Sequence, residues 1–299
     1  MGTVNGESSR RRTRGRGVAV PALLGTALLA AAIAIVLWSM SPAGVVGHVE
    51  HEEVSAFSRI RIRLDGDVRA LTFVRDNGQE AVQSRVNLKT PHTLISPYAR
   101  AMFASYFYQP HPRRVLIVGL GGGAMVHFLT HHEPQVHIDA VEIDPVVVRL
   151  ADEYFGVRSG GNVRVHTADA VTFVESSTGR YDLILMDAFL RPSSDTDTTG
   201  VPTRLKTQAF LDKLKRALAP GGVVAFNVNE HDSMADDIAA VAAAFGSVAI
   251  YRCPPADNKV VIAFESSMPT DDQVRARIDA LDARFGGTLS FADVLRNRE

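Results

Sequence analysis

The sequence predicts an α/β protein built on a doubly wound, mostly parallel β-sheet. From residue 114 onward, apolar runs typical of strands alternate with segments typical of helices. A glycine-rich turn at 119–124 follows the first of these runs. The next three strand-like runs are each followed or ended by an acidic residue, namely Glu142, Asp169 and Asp187. Because ligands bind at the carboxyl ends of parallel strands, this pattern also predicts a ligand site.

The composition limits the classes of function. The 299 residues, 46% of them apolar, suffice for one domain of about 240 residues and a small appendage. A net charge of −1 argues against a general nucleic-acid binder. Cys253 is the single cysteine, so the sequence contains no internal disulfide and no cysteine metal cluster. Three of the ten histidines follow the glycine turn without an acidic cluster beside them, so we expect no metal site; they are His127, His131 and His132.

The amino-terminal segment predicts a disordered basic tail followed by a membrane helix. Residues 1–17 are small and polar, with five arginines between positions 10 and 16. The next 21 residues carry no charge and would span about 30 Å as a helix, so we predict a transmembrane helix at 18–40 and a single-pass membrane protein. The alternative is a cleaved signal peptide, since small residues follow. The arginines favour a cytoplasmic amino terminus with the remainder of the chain outside the cytoplasm.

A small antiparallel β unit is predicted after a solvated linker at 41–56. From residue 57, apolar residues alternate with arginines at Ile60, Ile62 and Leu64, and turn sequences follow at 65–67 and 76–78. Residues 96–108 then read as a helix that carries Tyr98 and leads into the first apolar strand. We therefore assign residues 57–110 to a β unit plus helix, and residues 111–299 to a ligand-binding domain.

Residues 114–144 predict a strand, a glycine turn, a helix and a second strand that together bind a nucleoside. The glycines, Gly119, Gly121 and Gly123 among them, permit a tight turn and a close approach of the backbone to a ligand. Glu142, 23 positions after Gly119, can accept hydrogen bonds from both ribose hydroxyls. Two alternatives stay open on this evidence: a sharp turn without a ligand, and NAD, because Gly119-x-Gly121-x-x-Ala124 also fits the dinucleotide pattern.

The remaining elements continue the alternation of strand and helix. Helices are predicted at 145–155, where Pro145 suits the first turn, and at 206–218, 233–245 and 270–285. Strands are predicted at 163–168, 181–186 and 223–228, and a closing hairpin at 248–252 and 259–264. Asp169 has a second interpretation as a helix cap.

The sequence resembles the spermidine synthase family of polyamine aminopropyltransferases, which has a class I methyltransferase-like fold. The matching motifs are VLIVGLGGG at 115–123, VEIDP at 141–145, Tyr154-Phe155, Ala168-Asp169-Ala170, YDLILMD at 181–187 and LAPGG at 218–222. The resemblance implies a Rossmann-like sheet and transfer of an aminopropyl group from decarboxylated S-adenosylmethionine to an amine, without a metal. NAD is then disfavoured, because a closing hairpin and an acid after the fourth strand are not what a dehydrogenase needs.

The resemblance also implies a role for each candidate site residue. Glu142, with Ile143 beside it, would hold the donor's ribose, and Asp169 with Ala170 would hold the adenine. Asp187 would face the reacting centre and accept the proton of the amine, with a pKa that desolvation raises. Tyr98 would be the neighbour of Asp187, and Gln83 would come from the β unit.

Departures from the family pattern keep other functions open. Gly122 stands where the family usually has an aspartate that holds the donor's ammonium group, and residues 188–191 read Ala-Phe-Leu-Arg in place of Ser-Ser-Asp-Pro. Asp195 and Asp197 either compensate or belong to a solvated loop. One alternative is methyl transfer from S-adenosylmethionine, and the other is a non-catalytic nucleoside-binding module. The predicted partners are a small amine or other nucleophile and a membrane, without nucleic acid, and the sequence is compatible with a homo-oligomer.

Overall fold

The computed structural model describes residues 1–3, 46–177 and 179–299. The predicted transmembrane helix at 18–40 and most of the predicted basic tail lie outside these residues. Within the described ranges, no helix is both long enough and apolar enough to cross a membrane. The prediction of a single-pass membrane protein is corrected accordingly.

A four-stranded antiparallel sheet is formed by the amino-terminal part of the described chain, with its strands in sequence order. The strands are β1 (His48–Val54), β2 (Arg59–Asp65), β3 (Val68–Val74) and β4 (Glu80–Asn87). Strand β1 lies within residues 41–56, for which the sequence predicted a solvated linker, so that prediction was wrong for His48–Val54. Its acidic residues resembled a solvated tether, but Glu52 pairs with Arg61 directly opposite on β2, and Glu50 pairs with Arg69 on β3. Opposite charges on directly opposed residues stabilise the pairing of β1 with β2, and Arg69 reaches Glu50 across β2.

A helical segment connects this small sheet to the large one. Helix α1 (Pro97–Met102) is followed by a 3-10 turn (Phe103–Phe107), where the sequence predicted one helix at 96–108. Met102, Phe103 and Phe107 are fully buried. The segment therefore anchors the small sheet to the core and fixes the position of Tyr98 on its first turn.

The large sheet has seven strands in the order β10-β11-β9-β8-β5-β6-β7. They are β5 (Arg114–Val118), β6 (His137–Glu142), β7 (Val163–Thr167), β8 (Tyr181–Met186), β9 (Leu218–Val228), β10 (Ser247–Arg252) and β11 (Lys259–Phe264). The pairs that join β5 through β9 are parallel, and the last two strands form the predicted antiparallel hairpin. This confirms the predicted mostly parallel sheet.

Helices cover both faces of the large sheet. They are α2 (Ala124–His132), α3 (Pro145–Phe155), α4 (Ala170–Ser176), α5 (Gln208–Ala217), α6 (Met234–Phe245), α7 (Asp271–Arg275), α8 (Ile278–Arg284) and α9 (Phe291–Arg296). Along β5, Val115 and Ile117 enter one apolar core, whereas Leu116 and Val118 enter the other. This alternation is what a strand buried on both faces requires, so the doubly wound prediction is confirmed. The helix predicted at 270–285 is instead divided into α7 and α8.

Candidate active site

The candidate site lies where the order of the strands reverses. From β5 the chain adds β6 and β7 on one side, and then crosses to place β8 and β9 on the other side. In such sheets a crevice opens at the carboxyl ends of the two central strands. A cleft with about 940 Å³ of empty space lies there and opens to solvent. All the residues predicted for the site line this cleft, namely Gln83, Tyr98, Gly119, Gly121, Gly123, Glu142, Ile143, Asp169, Ala170 and Asp187.

The glycine turn is held tightly between neighbouring elements. Gly119 has a φ of +95°, and a Cβ atom there would lie 2.0 Å from the carbonyl oxygen of Asp187. Gly123 has a φ of +69°, and its Cβ would lie 2.5 Å from Val157. Side chains are therefore excluded at both positions, by backbone conformation and by space. The turn keeps its backbone close to the cleft, as the sequence predicted.

Gly122, the position of the missing family aspartate, has no room for a side chain. A Cβ atom there would lie 2.9 Å from the ring of Phe155 and 3.1 Å from Oγ of Ser84. An aspartate at this position would have to displace Phe155, which is buried at the end of α3. The packing around position 122 therefore favours the glycine over the aspartate that the family usually has there.

Glu142 already holds the glycine turn in place. Its Oε2 accepts a hydrogen bond from the amide of Leu120, and its Oε1 accepts one from the amide of Asp144, both at 3.0 Å. Burial raises the pKa of Glu142 above its ordinary value. Each carboxylate oxygen has a second lone pair, which can accept a ribose hydroxyl from the cleft. The donor set at the end of β6 therefore fits a nucleoside.

Asp169 caps helix α4. Its Oδ1 accepts hydrogen bonds from the amides of Val171 at 3.0 Å and Thr172 at 3.1 Å, so the helix-cap interpretation is correct for this oxygen. Its Oδ2 forms an ion pair with Arg204, from the segment that connects β8 to α5. Arg204 is not recognisable as a site residue from the sequence, because it lies 35 positions from Asp169 in a segment without a motif. Asp169 and Arg204 together line the cleft beyond Glu142.

Asp187 follows the buried strand β8, and burial raises its pKa to about 6. The hydrogen bond from Asn227 and the neighbouring Tyr98 hydroxyl oppose this shift. The Tyr98 hydroxyl lies beside Asp187, but its single proton is donated to the main-chain carbonyl of Gln83 at 3.0 Å. Burial raises the pKa of Tyr98 well above its ordinary value. The structure therefore brings Asp187 and Tyr98 together as predicted. Gln83 contributes its backbone oxygen, while its side-chain amide donates to Ala81 at 3.2 Å.

Asn227 and Asn258 were missed by the sequence analysis. Nδ2 of Asn227 donates to Oδ1 of Asp187 at 2.8 Å, and Oδ1 of Asn227 accepts from Nδ2 of Asn258 at 2.9 Å. The available signal was one polar residue near the end of an otherwise apolar strand at 223–228. Nothing in the local sequence of the loop before β11 indicates the contact of Asn258.

The acidic residues of the loop after Asp187 do not line the cleft. Burial tends to raise the pKa of Asp197, but hydrogen bonds from Lys206 and Thr199 outweigh it and lower that pKa. The Lys206 ammonium hydrogen-bonds Asp197 and Asp237 and lies 3.5 Å from Nε2 of His231. Among the described residues that line the cleft, the acids are Glu142, Asp169 and Asp187. Compensation by Asp195 or Asp197 is therefore not seen in the described part of the chain.

Comparison with known structures defines the class of protein. The fold matches human methyltransferase-like protein 13 in complex with SAH, with a TM-score of 0.59, 25% identity, and coverage of 64% of this chain and 92% of that chain. It also matches a probable spermidine synthase from Corynebacterium glutamicum, with a TM-score of 0.63, 23% identity, and coverage of 80% of this chain and 88% of that chain. The protein therefore has the Rossmann-like, methyltransferase-type fold with a small antiparallel sheet.

The sequence comparisons identify the family within this class. The model of the spermine/spermidine synthase domain matches residues 101–264. The polyamine aminopropyltransferase of Vibrio vulnificus is 30% identical over 236 residues, which cover 77% of this chain and 77% of that protein. The chain belongs to the spermine/spermidine synthase family and is a transferase. The resemblance that the motifs predicted is confirmed.

Proposed function

We propose that this protein transfers an aminopropyl group from decarboxylated S-adenosylmethionine to a small amine. One observation supports this function most strongly. A desolvated carboxylate, Asp187, lines the same cleft as Glu142, whose oxygens have free lone pairs for a ribose. Membership of the spermine/spermidine synthase family supports the same reaction.

The donor would occupy the half of the cleft between the glycine turn and β7. Glu142 would accept hydrogen bonds from the ribose hydroxyls, while Ile143, Asp169 and Ala170 would surround the adenine. Glycines in the turn allow the backbone to approach the rest of the donor. The negative charges of Glu142 and Asp187 would attract the sulfonium cation in a partly desolvated site, where such attraction is stronger than in water.

Asp187 would remove the proton from the acceptor amine. An ordinary alkylamine has a pKa near 10.4 and is almost wholly protonated at pH 7, so it must lose a proton before it can attack. A carboxylate with a pKa of about 6 is mostly ionised at pH 7 and accepts this proton more readily than an ordinary carboxylate. This increase in the pKa of Asp187 corresponds to about 3 kcal/mol in the free energy of protonating its carboxylate. Tyr98 would orient the carboxylate and the amine.

The group transfer is then a substitution at carbon. The nitrogen lone pair of the neutral amine attacks the carbon attached to S⁺, the carbon–sulfur bond breaks, and its electrons return to sulfur. Methylthioadenosine leaves as a neutral thioether, and the proton taken by Asp187 passes to solvent. The contribution of the cleft is alignment of the two reactants, which lowers the entropic part of the barrier.

Methyl transfer from S-adenosylmethionine is the second candidate. A donor that retains its carboxylate needs a cationic partner for it, and Arg204, the cationic side chain among the described residues that line the cleft, is already paired with Asp169 at the adenine end. The similarity to methyltransferase-like protein 13 supports this alternative. The aminopropyl donor has no carboxylate and needs no such partner.

A donor and acceptor screen tests the proposal. The purified protein would be incubated with each donor and a panel of mono- and diamines, and the products identified by mass spectrometry. Methylthioadenosine together with an aminopropylated amine is the expected result. S-adenosylhomocysteine and a methylated product would replace the proposal by methyl transfer. Donor binding by calorimetry without turnover of any acceptor would indicate a nucleoside-binding module.

A further inference from the structure

We propose that Asn227 and Asn258 form a hydrogen-bonded pair that positions the Asp187 carboxylate for proton transfer. The inference rests on the proposed function, because it assigns a positioning role beside the residue that accepts the proton. It adds two residues that neither the motifs nor the strand-end pattern identified.

Asn227 lies in an environment that requires every polar group to be paired. Its side chain follows four buried apolar residues of β9, 223–226, and the residue is only 8% exposed. A buried amide without hydrogen-bond partners would destabilise the folded protein. Both ends of this amide are used: the nitrogen donates to Asp187, and the oxygen accepts from Asn258. An apolar residue would suit the strand better, so the asparagine is best explained by its contact with Asp187.

The hydrogen bonds of this pair have one possible direction. An ionised carboxylate only accepts hydrogen bonds, so Asn227 must present its Nδ2 to Asp187. Its Oδ1 therefore faces Asn258, which must in turn present its own Nδ2. The second residue thus prevents the amide of Asn227 from rotating to place an oxygen against the carboxylate, where two acceptors would repel each other. The pair favours the ionised form of Asp187.

The closing hairpin brings Asn258 to the site. Strand β11 pairs antiparallel with β9, with Lys259 opposite Val228 and Val260 opposite Asn227. Asn258, directly before β11, consequently lies beside the carboxyl end of β9. Through this contact, a hairpin remote in sequence from the glycine turn reaches the reacting centre.

Asp187 has few other polar partners that could replace the pair. Burial is the main cause of its shifted pKa, and the titratable group beside it is Tyr98 on α1, whose hydroxyl donates to the carbonyl of Gln83. Among the described residues, the other charged side chains along the cleft are Glu142 at the donor end, and Asp169 and Arg204, which pair with each other. Loss of the Asn227 amide should therefore raise the pKa of Asp187 above about 6. Tyr98 would then be the neighbouring side chain that limits the orientation of the carboxylate.

The pH dependence of turnover tests the pair. Asn227→Leu and Asn258→Ala should each lower kcat by about 10-fold and shift the acid limb of the kcat profile to higher pH, with the affinity for methylthioadenosine unchanged. Asn227→Gln, which can still donate, should recover part of the activity. Asn229→Leu is the matched control, because this asparagine lies two positions further on and does not line the main cleft. It should leave both kcat and the acid limb as in the wild type.

A second measurement keeps the test decisive. Carbon-13 NMR of labelled aspartate, with Asp187→Asn for assignment, reports the titration of Asp187 without turnover. A higher pKa in Asn227→Leu or in Asn258→Ala supports the pair. An unchanged titration and an unchanged kcat profile in a folded variant overturn it. If the wild type turns over no amine while the titration still shifts, the proposed function fails and the hydrogen-bonded pair remains.

Discussion

The carbonyl oxygen of Asp187 occupies the space that a side chain at Gly119 would need, since a Cβ atom there would lie 2.0 Å away. The amide of Asp187 also donates to the carbonyl of Val118 at 2.8 Å. The donor turn and the proposed proton acceptor are thus fixed to each other through the backbone. A movement of either would change the alignment of donor and acceptor.

The first prediction concerns this contact. Gly119→Ala should lower the free energy of unfolding by at least about 3 kcal/mol and abolish donor binding, because strain at positive φ adds to a collision with backbone. Gly156→Ala is the control: its φ of +71° imposes comparable strain, but a Cβ there meets nothing within 4 Å. Thermal unfolding and calorimetry measure both effects. Equal destabilisation of the two variants would show that the backbone conformation alone matters.

Glu142→Ala should weaken the binding of methylthioadenosine by about 1.5–3 kcal/mol, the range for charge-assisted hydrogen bonds. The affinity should fall for two reasons. The variant lacks the acceptors for the ribose hydroxyls, and it lacks the hydrogen bonds that Glu142 accepts from the amides of Leu120 and Asp144. Isothermal calorimetry on a folded variant measures the effect. Glu153→Ala, on the exposed part of α3, should bind as the wild type does. Unchanged affinity in the first variant would remove Glu142 from the donor site.

Asp187→Asn should reduce turnover by about 10²–10⁴-fold and leave donor binding largely intact. Because this carboxylate must be ionised to accept a proton, kcat of the wild type should fall as the pH drops through about 6. Tyr98→Phe removes one hydrogen bond and should cost less. A variant that retained near-normal turnover with an identified acceptor would exclude Asp187 as the proton acceptor.

The donor half of the site was predictable because its signals are local. Parallel strands in a sheet are largely apolar, so an acid at or shortly after the last residue marks the strand's end, and all such ends meet at one edge of the sheet. Gly119, Glu142, Asp169 and Asp187 could therefore be placed in one cleft before the structure was known. The hairpin that closes the sheet was also readable, since its two strands are adjacent in sequence.

The missed features depend on contacts between distant segments. Asn258 reaches Asn227 only through the pairing of β11 with β9, and Arg204 reaches Asp169 from a segment without periodicity. Strand β1 escaped prediction because charged side chains replace the usual apolar alternation and are neutralised by arginines on β2 and β3. Sequence patterns predict which residues are buried, but they do not predict which distant residue pairs with a charged side chain.

Lys206 connects the segment between β8 and α5 to helix α6 through ion pairs. The last prediction concerns the loss of these ion pairs. Its ammonium group lies between Asp197 and Asp237, and its neighbours Arg204 and Leu205 line the cleft. Lys206→Met leaves two partly buried carboxylates facing each other, which should lower the free energy of unfolding by about 1–3 kcal/mol at pH 7.

The stability difference between the wild type and Lys206→Met should depend on pH, and its direction follows from the pKa of Asp197. The pKa of this carboxyl is lowered in the folded protein, so its stabilising contribution is present above the unfolded pKa and is lost as the pH falls through the folded pKa. The difference between wild type and Lys206→Met should therefore shrink at acidic pH. Arg216→Met, which removes a cation from an exposed position of α5, is the control. Thermal unfolding across pH measures stability, and limited proteolysis at 188–206 measures loosening of the segment; a pH-independent difference would contradict the ion-pair explanation.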